Sequence, residues 1–196
     1  MKELKKICVF CGSSEGNDLA ITDAAEAVGK LFAKRDIALV YGAAKIGVMG
    51  ILAKNVLDNG GQVVGVIPGF LKMKEVVHLG LTKLITTENM HERKLRMQEE
   101  SDGFIALPGG MGTLEELFEI LTWQQLGLHQ KPIGLLNING FYNDLISLLE
   151  TMVRKGFLSM EHYNLLQVDS DTKALLEKME AFKSPRIPKW LSEDRA

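Results

Sequence analysis

Short apolar runs alternate with helix-patterned segments along almost the whole chain, and this alternation constrains the fold more than any other feature. Residues 7–10, 37–41, 63–67, 81–85, 104–107, 133–136 and 165–168 read as strands. Residues 18–34, 46–59, 90–101, 113–126, 142–155 and 171–182 read as helices; in the first, Ala24, Ala27, Val28, Leu31 and Phe32 recur at helical spacing. Residues 70–78 read as a looser segment. Strands joined through helices by short connections imply a parallel sheet covered on both faces. The expected fold is α/β: a single doubly wound, Rossmann-like domain over residues 1–183, followed by an irregular tail at 184–196. Ligands in such sheets bind beyond the carboxyl ends of the strands. That rule selects three loops: Gly12-Ser13-Ser14, residues 42–50 and residues 108–113.

Composition removes several function classes. The 196 residues are 46% hydrophobic and 24% charged, ordinary values for a globular protein with one sizeable core. A net charge of -2 gives no bulk attraction to nucleic acid or to a membrane surface. No apolar run approaches the roughly 20 residues of a membrane helix. The opening residues run straight into a strand without a signal-peptide pattern, so a cytoplasmic location is expected. Cys8 and Cys11 have C-x-x-C spacing, but no further ligands stand at zinc spacing and Cys8 lies inside an apolar run. They read as ordinary thiols. His78, His91, His129 and His162 show no metal-ligand spacing either, and no metal or organic cofactor is expected.

The third loop carries the strongest signal. Pro108 ends an apolar run, Gly109, Gly110 and Gly112 follow within four positions, and Thr113 opens a helical pattern bearing Glu115 and Glu116. Strand, tight turn and helix N-terminus in that order present bare backbone N–H groups and a positive helix end, which suit a phosphate. A structural reading competes: Thr113-x-x-Glu116 has the pattern of a capping box. Leu114, Leu117, Phe118 and Leu121 are the expected core stripe of this helix, while Glu115, Glu119 and Thr122 share a flank. Three carboxylates crowded into one short segment are mildly unfavourable on an ordinary helix.

The other loops are less specific. Ser13 can contact a phosphate or ribose, or cap a helix. The G-x-G-x-x-G and P-loop patterns are absent, so neither a dinucleotide nor NTP hydrolysis is indicated. Gly42 permits close backbone approach. Arg93 and Lys94 belong to a basic helical start; a charge run of this kind is usually a solvated face.

Together the segments resemble the Lonely Guy (LOG) family, cytokinin riboside 5'-monophosphate phosphoribohydrolases that also carry the label "possible lysine decarboxylase". Residues 108–116 match its P-G-G-x-G-T-x-x-E motif, Met90-His91-Glu92-Arg93-Lys94 its arginine–lysine motif, and residues 8–14, 66–68, 122–127 and 131–137 further segments. The resemblance implies a homodimer that hydrolyses the N-glycosidic bond of an adenosine-type monophosphate to free base and ribose 5-phosphate. It implies Arg93 and Glu116 as the catalytic pair. It places Glu75, Lys94, Gly110, Met111, Gly112, Thr113, Leu114, Glu115 and Thr122 on the substrate; Gly109, Ser13 and Gly42 join them from the loop reading. One departure stands out: the family has Y-G-G after the second strand, and this chain has Tyr41-Gly42-Ala43-Ala44, whose added methyls would narrow that loop. The decarboxylase label lacks the lysine and pyridinium partner that pyridoxal phosphate requires.

The expected mechanism holds the 5'-phosphate on amides 109–113, uses Glu116 or Glu115 on the sugar cation and water, and uses Arg93 on the departing base or the phosphate. The competing reading is a nucleotide or cofactor carrier on the same fold. A third is a nucleosidase acting on plain AMP. Trp123, Met97 and Leu126 are candidates for a dimer interface or for monomer core.

Overall fold

The computed structural model describes residues 3–72 and 77–185. Seven strands form one parallel sheet: β1 (Lys6–Phe10), β2 (Ala38–Tyr41), β3 (Val63–Pro68), β4 (Lys83–Thr87), β5 (Gly103–Ala106), β6 (Ile133–Leu136) and β7 (Leu166–Asp169), in the order β4-β3-β2-β1-β5-β6-β7. The chain builds outward from β1 to β4, crosses back, and builds the other way from β5. The sheet therefore has its topological switch point between β1 and β5, where the carboxyl ends diverge into a crevice.

Alternate residues of each strand feed two cores. Ile7 and Val9, Leu39 and Tyr41, and Ile105 and Leu107 face one side, packed by helices α1 (Leu19–Lys34), α2 (Gly47–Asp58) and α8 (Thr172–Ala181). Cys8 and Phe10, Val40, Val64 and Val66, and Phe104 and Ala106 face the other. There they meet α4 (Met90–Glu99), α5 (Met111–Gln125) and α6 (Asn143–Arg154). Burial on both faces is why the strands read as continuous apolar runs rather than alternating ones. The doubly wound α/β expectation holds. No helix among the described residues is long and apolar enough to cross a membrane.

Differences lie at element ends. β4 starts two residues later than the apolar run suggests, because Thr86 and Thr87 pair with Ile67 and Pro68 while Leu81 packs into the core from the preceding loop. Short helices α3 (Gly69–Lys72) and α7 (Met160–Tyr163) fill segments with no helical period of their own. Met97 is buried in the second core and so belongs to the monomer.

The start of α5 is the correction that matters. The helix begins at Met111 with Gly110 as its N-cap, two residues before the expected Thr113. Its first internal bond runs from the Leu114 N–H to the Gly110 carbonyl, 3.2 Å. Thr113 is thus a buried residue of the first turn, and the capping-box reading fails. On α4 the cap is a side chain: Asn89 Oδ1 accepts the Glu92 N–H at 2.9 Å, and Glu92 reaches back past the cap to accept the Glu88 N–H at 2.7 Å. The inward stripe of α5 is Thr113, Leu117, Ile120 and Gln124, and the expected core residue Phe118 is exposed.

Candidate active site

A hollow of about 240 Å³ opens at the switch point, lined by Val9, Cys11, Gly12, Ser13, Gly42, Met49, Arg93, Gly110, Met111, Gly112, Thr113 and Glu116. A second, of about 300 Å³, shares Gly12, Ser13 and Gly110 with it and extends past Pro108 and Gly109 to Ile21, Val48 and Phe141. The three loops chosen by sequence meet here. Backbone bonds stitch them: Gly12 N–H to the Pro108 carbonyl at 3.3 Å, and Met49 N–H to the Gly12 carbonyl at 3.2 Å. Behind them Tyr142 donates its hydroxyl to the Leu107 carbonyl at 2.7 Å, fixing the strand end that launches the glycine turn. A larger hollow of about 520 Å³ lies beside α7 and α8, lined by Glu161, Gln167, Lys178 and Phe182 among others, away from the three loops and without an enclosed arginine–carboxylate pair.

Arg93 lies on the inward face of α4, with only 12% of its side chain exposed. Its Nε donates to the Val66 carbonyl within β3, 3.2 Å. Its Nη1 stands 3.4 Å from Glu116 Oε1, and the Glu116 side chain is 13% exposed. A Cβ on Gly42 would collide with the guanidinium, so the missing side chain at 42 is the seat of Arg93. Burial pushes the Glu116 carboxyl above the ordinary carboxylate range, and the Arg93 charge pulls it back.

Lys94 is no solvated charge either. Its side chain is 12% exposed, and its Nζ lies 2.6 Å from Glu115 Oε1 and 2.9 Å from Glu119 Oε1. Consecutive cations of α4 thus meet successive carboxylates of α5. The crowding of Glu115, Glu116 and Glu119, unfavourable on a lone helix, is answered by a basic helix packed against it.

The glycines of the third loop divide by role. A Cβ on Gly109 would strike the Thr113 side chain, so this position is set by packing. Gly110 and Gly112 face open space. Nothing in the fold demands glycine at either, and both line the hollow. Helix geometry leaves the N–H groups of Met111, Gly112 and Thr113 without partners inside α5. This is a bare helix N-terminus opening into a crevice.

Several expected contacts lie elsewhere. Leu114 is half-buried against the second core. Glu115 and Lys94 are occupied with each other. Thr122 stands more than two turns down α5, donates its hydroxyl to the Phe118 carbonyl at 2.7 Å, and borders a separate apolar hollow with Phe157 and Leu166. Glu75 lies outside the described residues. The Ala43 methyl does not narrow the loop: it is buried with Ile67 and Val77, away from the hollow. Gly12 and Met49 line the site from within the chosen loops, and Val9 and Cys11 from the end of the first apolar run, which carries no local sign of ligand contact. Cys8 and Cys11 are free buried thiols, pushed upward by desolvation. His91 is exposed. Among the described residues no three His, Cys, Asp or Glu side chains are grouped to hold a metal ion.

Residues 49–179 match the family model described as possible lysine decarboxylase. The chain is 44% identical over 191 residues to cytokinin riboside 5'-monophosphate phosphoribohydrolase LOG1 of Arabidopsis thaliana, covering 97% of this chain and 89% of that one. It is 45% identical over 185 residues to the probable phosphoribohydrolase LOGL6 of Oryza sativa subsp. japonica, covering 94% and 74%. Among solved structures, the molybdenum cofactor binding protein of Rippkaea orientalis has a TM-score of 0.69 at 23% identity, over 92% of this chain and 98% of that one. The Moco carrier protein of Chlamydomonas reinhardtii has a TM-score of 0.67 at 21% identity, over 91% and 99%. At that identity the two structures share the fold alone, whereas the sequence relatives align with nearly the whole chain at 44–45% identity, and the chain belongs to the LOG family.

Proposed function

We propose that this protein hydrolyses the N-glycosidic bond of an adenosine-type 5'-monophosphate, adding water to give free base and ribose 5-phosphate. The observation that carries the reading is the enclosed Arg93–Glu116 pair beside the bare N-terminus of α5. The names of the relatives point to N6-modified, cytokinin-type nucleotides as the preferred substrates.

Glycosidic cleavage develops positive charge on the sugar and negative charge on the leaving base. In this mechanism the amides of Met111, Gly112 and Thr113, with the Ser13 hydroxyl, hold the 5'-phosphate at the helix end. Glu116, one turn further along α5, faces the sugar, stabilises its cationic character and orients the attacking water. Glu115 is left out of the chemistry by its ion pair with Lys94. Arg93 already shares its charge with Glu116, so the phosphate goes to the unpaired amides and Arg93 serves the departing base. A carrier without turnover has no need of an acid–base pair held out of water.

We further propose that the chain works as a homodimer. Leu95 on α4, and Met111 and Phe118 on α5, are exposed apolar side chains on the helices that bound the site, and a second copy would cover them. Sedimentation at micromolar concentration tests this, and a monomer there overturns it.

Product analysis tests the activity. Purified protein is incubated with AMP and with N6-isopentenyl-AMP, alongside Glu116→Gln. The expected result is base and ribose 5-phosphate from the wild type, faster with the N6-modified substrate, and almost none from the variant. Binding of both nucleotides without base release overturns the hydrolase reading in favour of a carrier.

A further inference from the structure

Three carboxylates on the first turns of α5 face two cations on α4, and the pairing is uneven. Among the described residues Glu116 pairs with Arg93, while Glu115 and Glu119 both converge on Lys94 Nζ at 2.6 and 2.9 Å. A lysine ammonium has three donors, and here two are directed at carboxylates. With its side chain 12% exposed, Lys94 has little reach left for a ligand. It is also absent from the lining of the crevice that its neighbour Arg93 enters.

We propose that Lys94 is a positioning residue: by binding Glu115 and Glu119 together it clamps α4 onto α5, sets Arg93 against Glu116, and neutralises the two spare carboxylates beside Glu116. This rests on the phosphoribohydrolase reading above and assigns Lys94 a role other than substrate contact.

Electrostatics gives the clamp a measurable consequence. Among the described residues, the charged groups acting on Glu116 are Arg93 and Lys94 from α4, which favour its ionised form, and Glu115 and Glu119 from its own helix, which oppose it. Cys8 on β1 and Cys11 just beyond its end also feel the Glu116 charge, and both thiols are held neutral by burial. Removing the Lys94 charge leaves Glu115 and Glu119 unopposed, and Glu116 then binds its proton at higher pH. Removing the Glu119 charge acts in the opposite sense.

The test is the pH profile of kcat for base release from N6-isopentenyl-AMP by the full chain. The wild type is measured first: if it releases no base, the hydrolase reading fails, independently of Lys94. Given wild-type turnover, K94M is expected to move the acid limb up by about 0.5–1 pH unit, with KM changed by less than about threefold. K94R restores the wild-type profile. E119Q, which keeps the lysine and serves where K94M fails to fold, moves the limb down by about half a unit. A KM raised about tenfold or more in K94M with the acid limb unmoved makes Lys94 a substrate ligand and overturns the inference. An unmoved limb in E119Q overturns it as well.

Discussion

The guanidinium of Arg93 lies against the backbone of Gly42, in the space a side chain at 42 would occupy. Gly42 ends no helix and has no left-handed backbone; its smallness is used by an arginine from an element far along the chain. Gly42→Ala is therefore expected to leave the sheet intact and push Arg93 off Glu116. A displacement near 1 Å in a catalytic group costs about 10²-fold in rate. The check is kcat beside the thermal midpoint: a fall of that order with a midpoint shifted by only a few degrees is expected, and unchanged kcat would mean that Arg93 does not need this seat.

Truncation of the pair itself separates its members. Glu116→Gln removes the charge but keeps the shape, and kcat is expected to drop by about 10²–10⁴-fold, the usual worth of a positioned acid–base group. Arg93→Ala leaves the Glu116 carboxylate desolvated without its cation, so it is expected to cost stability as well as rate, by a few kcal/mol given that both side chains are mostly enclosed. Denaturant midpoints and steady-state kinetics on both variants check this. A change in KM alone for Arg93→Ala would make it a binding residue.

How far the sequence reveals this arrangement depends on whether the relevant physics is local. The strands and most helices are legible because burial on both sheet faces writes continuous apolar runs and helical periods into the chain, as in Phe104 to Leu107 or Ile21 to Phe32. The glycine turn is legible because backbone approach needs Gly109. The start of α5 is not, because a Thr-x-x-Glu spacing imitates a cap and only packing shows Thr113 inside the first turn. Lys94 on Glu119 and Arg93 on Gly42 join residues distant in sequence, and no local pattern announces them. Taken alone the basic run on α4 reads as a wet surface; Lys94 is enclosed by the acidic helix beside it, and Arg93 by that helix together with Gly42 and β3.

The backbone and the methyl of Ala43 act in opposite directions on stability. The residue sits at φ 64°, the left-handed region that favours glycine, with its methyl buried beside Ile67 and Val77. Ala43→Gly relieves about 1–2 kcal/mol of backbone strain. It also loses a buried methyl worth about 0.8 kcal/mol and adds chain entropy to the unfolded state worth about 0.5–1 kcal/mol. The terms nearly cancel, so stability is expected to change by less than about 1 kcal/mol. Because the methyl points away from the crevice, the ratio of rates on AMP and N6-isopentenyl-AMP is expected to stay the same. A change in that ratio would show that the loop shapes the substrate site through its backbone.

Acid sensitivity is expected to come in good part from His129, outside the crevice. The ring is buried; Nε2 bonds the Ile120 carbonyl at 2.9 Å, Nδ1 accepts the Lys131 N–H at 3.1 Å, and the Phe104 ring packs at 5.5 Å. One nitrogen must donate and the other accept, so only the neutral ring fits. Burial, the larger cause, and the charge of Lys131 lower its pKa from 6.5 to about 4. The unfolded chain therefore binds a proton that the folded chain refuses between those values. The stability this neutral ring retains is full above pH 6.5 and is lost as pH falls toward about 4, below which the loss levels off. The loss between about pH 6.5 and 4.5 is on the order of 2 kcal/mol. Urea unfolding at both ends of that window checks it: the wild type should weaken by about that amount more than His129→Gln, whose amide does not titrate there. Equal pH slopes in the two proteins would place the acid-sensitive groups elsewhere.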